Sequence, residues 1–205
     1  MNELDTKQFP LRGFEVGYDG GAELYTTNVF GTNAVYSIED SEVIYEDSFD
    51  VPLFAGNELN GWIIITEQDD GNVIHELSYD NKSYPLFTKM GSINCLNYNN
   101  YLLNSDAGIF ACDAGNEAFF LRLDDETKIP LPKKCDLVAL YSDCIIYKMN
   151  SEVGTVINIA DFDGNVLNEF TFDDTVMIIP DTYEKKLYAV DLDSMTADTI
   201  DILIQ

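Results

Sequence analysis

Apolar and polar positions alternate in short runs along this chain, and Gly, Asn and Asp bound the runs. No window places apolar residues at the i, i+3, i+4 and i+7 positions of an amphipathic helix over three turns, so the pattern predicts strands. The clearest copy joins Asn60–Thr66 to Val73–Asp80 through the turn Asp69–Asn72. Corresponding runs begin about every forty residues, a repeat length typical of β-propeller blades. They start near Asn100, Asp143 and Lys186.

We therefore predict an all-β fold, with one β-propeller domain over residues 1–205 and about five four-stranded blades. The predicted blades are 9–49, 50–90, 91–133, 134–173 and 174–205. In the third blade, Gly108–Asp113 is either an insertion or the second strand. The last blade has residues for three strands only, and an open ring would leave an unpaired edge. We expect the N-terminal segment to supply the fourth strand, from Glu3–Gln8 or Phe9–Val16.

Prolines and glycines support this register. Pro85 and Pro130 each follow an Asp by five residues and belong on outermost strands, because proline cannot donate to a ladder. Asp70-Gly71 and Asp163-Gly164 are predicted to form tight two-residue hairpin turns.

The stretch from Asn60 to Leu86 resembles the YWTD-like propeller repeats of bacterial proteins, in which Asn-Gly-aromatic precedes an apolar strand, a turn and a strand ending at Asp. The segment from Asp143 to Phe170 is similar. These motifs are structural, so the resemblance implies a ring-shaped interaction scaffold and no catalytic residue. The family usually has six or more blades, whereas this chain has room for about five.

The charge of the chain narrows the range of possible functions. The 205 residues include 37 acidic and 11 basic side chains, a net charge of −26. Between Gly13 and Asn81 there are fifteen acidic residues and no Lys or Arg. Such a surface repels nucleic acid and anionic membranes and attracts basic proteins. We predict a non-enzymatic interaction module of the inhibitor, immunity or DNA-mimic type. The acidic patch predicted to bind the basic partner consists of Glu39, Asp40, Glu42, Glu46, Asp47, Asp50, Asp69 and Asp70.

Two alternatives stay open. A glycan-binding or glycoside-hydrolase-like propeller would use paired carboxylates, for which Asp50 and Asp136 precede candidate inner strands. A structural subunit would instead self-associate through its incomplete last blade. A further interpretation of the acidic charge is that it only keeps the protein soluble.

No cofactor or metal site is predicted. Asp161-Phe162-Asp163-Gly164-Asn165 opens like a calcium loop, but the twelfth position is Phe172 rather than a bidentate acid, so a hairpin turn is favoured. His75 is expected to face solvent from its strand. Trp62 is read as core rather than as a ligand platform.

The cysteines and the N-terminal residues indicate the cellular compartment of the protein. The four cysteines are widely spaced within apolar runs, which favours buried free thiols over a disulfide or a metal site. They are Cys95, Cys112, Cys135 and Cys144. Residues 1–7 lack the pattern of a signal peptide. We predict a cytoplasmic location.

Overall fold

The computed structural model describes residues 13–18, 22–27, 33–37, 42–47, 50–55, 58–90, 101–113, 117–152, 154–181 and 184–202. Before residue 50, and at residues 52, 54, 55, 58 and 59, only the backbone is described. All the regular elements in these ranges are strands. By contact the chain divides into two compact units, Met1–Asn97 and Tyr98–Gln205. The single-domain assignment stays a prediction.

The first unit holds one eight-stranded sheet, which we call sheet 1. Its strands are β1 Gly13–Tyr18, β2 Ala22–Thr27, β3 Asn33–Ser37, β4 Glu42–Asp47, β5 Val51–Ala55, β6 Glu58–Glu67, β7 Asn72–Tyr79 and β8 Lys82–Met90. The order is β4-β3-β2-β1-β6-β7-β8, and β5 also pairs with β6. These two four-strand sets match the first two predicted blades in strand position. They are joined by one parallel pair, Tyr18 with Glu58, because β6 begins early enough to meet the end of β1.

The second unit holds three sheets. Sheet 2 contains β9 Tyr101–Asn104, β10 Ile109–Asp113, β11 Ala118–Arg122 and β12 Lys128–Pro130. Sheet 3 contains β13 Asp136–Leu140, β14 Ile145–Ser151, β15 Gly154–Ala160 and β16 Val166–Phe172. Sheet 4 contains β17 Val176–Asp181, β18 Lys186–Asp191 and β19 Thr196–Asp201. Each is an antiparallel meander in which sequential strands are neighbours.

Several strand predictions are confirmed. The run Gly108–Asp113 is the second strand of its sheet, β10, and not an insertion. Pro85 and Pro130 lie on β8 and β12, which stand at the ends of their sheet orders. The last repeat has three described strands. Glu3–Gln8 lies outside the described residues, and Val16 lies on β1, which pairs with β2 and β6.

The hairpin turns are longer than predicted. At the β6–β7 corner the backbone N–H of Gln68 donates to the backbone oxygen of Asn72 at 2.7 Å, so three residues lie between this pair, and the N–H of Gly71 donates to the backbone oxygen of Gln68 at 3.0 Å. Gly164 donates to the oxygen of Asp161 in the same way. Only the glycine of each Asp-Gly pair has a positive φ, +79° and +87°. A type I turn followed by one left-handed residue needs a single glycine, whereas the predicted two-residue turn needs two left-handed positions.

The core of the second unit explains why some strands are apolar at every position, without alternating apolar and polar residues. Ile145 and Tyr147 pack toward sheet 2 in a cluster with Phe120, whereas Ile146 packs toward sheet 4 with Leu187. Successive side chains of a strand point to opposite faces, so a strand covered on both sides is apolar at every position. β14 is therefore covered on both faces at Ile145–Tyr147, whereas most residues of β16 are exposed. In sheet 4, β18 alternates between buried and half-buried residues.

Candidate protein-interaction surfaces

The predicted acidic patch is only partly within the described residues. Glu39 and Asp40 lie outside them. Glu42, Glu46 and Asp47 lie on β4, at one end of the order of sheet 1. β4 pairs with β3, and the register opposes these acids with uncharged residues of that strand. The edge of sheet 1 at β4 is thus an acidic strand, while the grouping of all eight residues into one face stays a prediction.

Asp69 and Asp70 are exposed at the β6–β7 corner. The carboxylate of Asp70 accepts hydrogen bonds from the backbone N–H of Asn72 at 3.0 Å and from its Nδ2 at 2.7 Å. These bonds favour the ionised form and lower the pKa of Asp70. Asp70 is therefore both part of the surface charge and a structural element of its turn.

The two carboxylates of the glycan alternative each have a structural contact. Asp50 accepts a hydrogen bond from the backbone N–H of Ile65 at 3.1 Å, which ties the start of β5 to β6. Asp136 lies 3.3 Å from the Nζ of Lys148 on the neighbouring strand β14. The two residues belong to different units. These contacts give both carboxylates a structural role that does not require catalysis. The glycan alternative stays a prediction.

The same kind of turn recurs at other corners. Asp161 accepts hydrogen bonds from the backbone N–H groups of Asp163 and Asn165 and from the side chain of Asn165. Its partners satisfy the carboxylate within the turn, as expected for a hairpin and not for a calcium loop. Asp125 and Asp191 accept backbone hydrogen bonds two residues ahead in the same manner. Hydrogen bonds lower the pKa of all three carboxyls. These acids remain charged across the physiological pH range.

Several cations of the second unit are paired with acids. Arg122 lies 2.5 Å from Asp163 and also donates to the backbone oxygen of Phe162 at 2.8 Å. Lys185 pairs with Asp143 at 2.5 Å. These pairs join corners of neighbouring sheets. Each pair offsets one acidic charge, and the chain as a whole still carries a net charge of −26.

Sheet 4 exposes an edge strand and apolar side chains. Five of the six residues of β19 are exposed, and Ile200 is half-buried. On β17, Met177 is 45% exposed and Ile179 is 41% exposed. Met195, in the corner that leads into β19, is 82% exposed. The sequence predicted three strands for the last repeat, but the exposure of β19 could be seen only from the burial of its residues in the structure.

His75 corrects an expectation. It was predicted to face solvent, yet it is 2% exposed and stacks on Phe87 with ring centroids 4.3 Å apart. The phase of β7 explains the error, because Val73 and Leu77, two residues on either side, are both buried. Burial, with a smaller contribution from the charge of Lys89, lowers the pKa of His75 to about 4. His75 is a neutral core residue.

Trp62 is half-buried on β6, between the buried Gly61 and Ile63. It lies neither fully in the core nor fully on the surface, so the choice between core and ligand platform stays a prediction.

Nothing in the described residues supports a metal or thiol site. Cys112, Cys135 and Cys144 are buried free thiols, as predicted, and Cys95 lies outside the described ranges. Burial raises the pKa of Cys135 and of Cys144 to about 12, which keeps both thiols protonated. Within the described part of the chain, no group of three or more metal-ligating side chains occurs. No helix in that part is long and apolar enough to cross a membrane.

The fold defines an all-β protein built of small antiparallel sheets, and comparison with known proteins specifies the class. No family model and no curated protein matches the chain. It is similar to a chain in the crystal structure of the mitotic checkpoint complex, with 12% identity and a TM-score of 0.56, covering 94% of this chain and 63% of that one. A chain of the crystal structure of the eukaryotic initiation factor gives 11% identity and 0.54, covering 93% and 52%.

A third similar structure is BBS1N in complex with ARL6DN, with 11% identity, a TM-score of 0.50 and coverage of 92% and 64%. These neighbours are WD40-like β-propeller proteins. This chain spans between about half and two thirds of their length. At this identity the likeness concerns the fold alone. The specific resemblance to YWTD-like repeats has no support from a family match, and a closed five-bladed ring is not shown.

Proposed function

We propose that this protein is a non-enzymatic protein-interaction module that binds a basic partner protein through its acidic surface. The observation that carries the proposal is the charge distribution, with fifteen acids and no Lys or Arg between Gly13 and Asn81. A field of one sign steers an oppositely charged partner and can raise its association rate ten- to a thousandfold at low salt. The similarity to propeller components of protein complexes is consistent with this role.

The described acids support the proposal through their ionisation. Turn hydrogen bonds lower the pKa of Asp70, Asp125, Asp161 and Asp191, so these groups retain their charge when other carboxyls begin to protonate. The buried free thiols are typical of a reducing compartment, and we place the interaction in the cytoplasm.

The test is a pull-down from native lysate of the source cells at low and high salt, about 50 mM and about 500 mM, which brackets strong and weak screening. One variant neutralises six acids of the predicted patch, leaving Asp50 and Asp70 in place because their carboxylates accept backbone hydrogen bonds. The six are Glu39, Asp40, Glu42, Glu46, Asp47 and Asp69. Each is replaced by its amide.

A matched control neutralises six exposed acids of the second unit, which leaves both variants with the same net charge of −26 + 6 = −20. The control positions are Asp106, Glu117, Glu126, Glu152, Asp173 and Asp174. We expect basic proteins to bind the wild type and the control at low salt, and the patch variant to lose them. Capture of acidic proteins, or capture that persists unchanged at high salt, would contradict the proposal.

A further inference from the structure

Strand β19 occupies a position that is covered in the three other repeats whose side chains are described there. It is the third strand of its repeat, as β7, β11 and β15 are of theirs. None of the residues of β7, β11 or β15 is exposed. Five of the six residues of β19 are exposed. β19 therefore has the environment of an outermost strand although it stands where the fold places an inner one.

The hydrogen bonds of sheet 4 define which backbone groups of β19 are available. The N–H of Ile202 donates to the oxygen of Lys185 at 3.0 Å, just beyond the paired stretch of β18 and β19. Hydrogen-bonded pairs alternate along an antiparallel ladder. Thr196, Asp198 and Ile200 thus bond to β18. The N–H and C=O groups of Ala197, Thr199 and Asp201 point the other way, and among the described residues β18 is the one strand that pairs with β19.

Charge selects the occupant of this edge. Asp198 lies opposite Ala189 and has no cation across from it in β18, whereas Asp201 lies opposite Lys186. Asp191 and Asp193 stand at the corner that leads into the strand. A second copy of this chain, itself at −26, would bring like charges together, which opposes pairing. A strand with Lys or Arg next to Asp198 would be attracted.

We propose that the edge of β19 facing away from β18 binds an extended, Lys- or Arg-bearing segment of a partner protein as a fourth strand of sheet 4. Main-chain hydrogen bonds to Ala197, Thr199 and Asp201 would provide affinity, and the charge at Asp198 would provide preference for basic segments. The inference rests on the proposed function, because it adds a second contact for a basic partner, on β19 in the second unit, to the predicted acidic patch in the first unit.

The test measures the binding of a defined probe by the full chain. The probe is a fluorescent peptide with the sequence Lys-Val-Lys-Val-Thr-Val-Lys-Val, followed by anisotropy at low salt. Thr199→Pro removes the outward N–H of β19 and leaves the ladder to β18 intact, a placement that edge strands tolerate. Thr199→Ala is the matched control that keeps the N–H. We expect Thr199→Pro to weaken binding about tenfold or more, as loss of strand addition should, and Thr199→Ala to bind like the wild type.

A second arm does not depend on the folding of Thr199→Pro. The same peptide, N-methylated at every backbone amide, has unchanged charge but cannot donate hydrogen bonds along either edge. We expect it not to bind. Three results would each overturn the inference. The first is equal binding of both peptides, and the second is wild-type binding by a Thr199→Pro variant that has a native circular dichroism spectrum. The third is no binding of the unmodified peptide. Light scattering that showed a dimer in the wild type and a monomer in Thr199→Pro would also overturn it, in favour of a second copy.

The outcomes separate the two proposals. If the edge is not the site, the patch variant and the salt series still report whether a basic partner binds the acidic surface. If no basic partner binds at any salt, the proposed function fails, whatever the peptide does at β19.

Discussion

The hydroxyl group of Tyr141 donates a hydrogen bond of 2.6 Å to the backbone oxygen of Asp181, forty residues further along the chain. The contact joins sheet 3 to sheet 4. Arg122 with Asp163 and Asp143 with Lys185 make the same kind of contact at separations of 41 and 42 residues. The spacing of these bonds equals the sequence repeat of about forty residues, as expected when each repeat forms one sheet that packs on the next.

The Tyr141 bond should contribute measurably to stability. Tyr141→Phe removes a donor to a half-buried carbonyl, and we expect it to lower the free energy of unfolding by about 1–2 kcal/mol. Tyr101→Phe is the control, because the hydroxyl group of Tyr101 is buried and has no hydrogen-bond partner among the described residues. It should be neutral or slightly stabilising. Urea denaturation of the two variants measures the difference, and equal losses of stability would contradict the assignment.

Gly154 should be the least replaceable glycine of the second unit. Its φ is +126°, and an added Cβ would lie 2.1 Å from the backbone oxygen of Phe172. We expect Gly154→Ala to cost about 3 kcal/mol or more, through strain and a clash with rigid backbone. Gly108 has a φ of +62° and open space around the added Cβ. Gly108→Ala should cost only about 1 kcal/mol. Similar urea midpoints for both variants would show that the clash is relieved.

His75 should make stability depend on pH. Its pKa is about 4 in the folded state, below the 6.5 of an unperturbed histidine, so the unfolded state binds the extra proton. The stabilisation is therefore present above pH 6.5 and is lost as the pH falls from 6.5 to 4. A shift of this size corresponds to about 3 kcal/mol.

The matched variant is His75→Leu, which keeps an apolar side chain beside Phe87 and cannot titrate. Carboxyl groups titrate alike in both proteins, so the difference between their pH profiles isolates His75. We expect the wild type to lose stability more steeply between pH 6.5 and 4 in urea or thermal denaturation. Parallel profiles would mean that His75 is not a buried neutral histidine.

Strand positions could be predicted from the sequence because period-two alternation and Gly or Asn boundaries are local properties. The four strands β1 to β4 and the strand β10 were found this way. The face of a strand was harder to assign. Ile74 suggested that His75 faced solvent, although Val73 and Leu77 share the phase of His75 and are buried. Which face is covered depends on the neighbouring sheet, and that information is not local.

The acidic site, too, could be predicted only in part from the sequence. The net charge and its concentration before Asn81 are plain in the sequence. The roles of single acids are not, because Asp50 accepts a backbone hydrogen bond from the neighbouring strand β6 and Asp70 accepts one within its turn. The exposure of β19 also required the structure. The third strands of the repeats have similar sequence patterns, and β19 differs from β7, β11 and β15 in the burial of its residues.

The most direct measurement is amide hydrogen exchange of β19, resolved by residue, with and without the lysine peptide. Without peptide, the amides of Ala197, Thr199 and Asp201 should exchange quickly, and those of Asp198 and Ile200 should be protected by β18. We predict that the peptide protects Ala197, Thr199 and Asp201 at low salt and that added salt removes this protection. Unchanged exchange at these three amides in the presence of saturating, bound peptide would contradict the account.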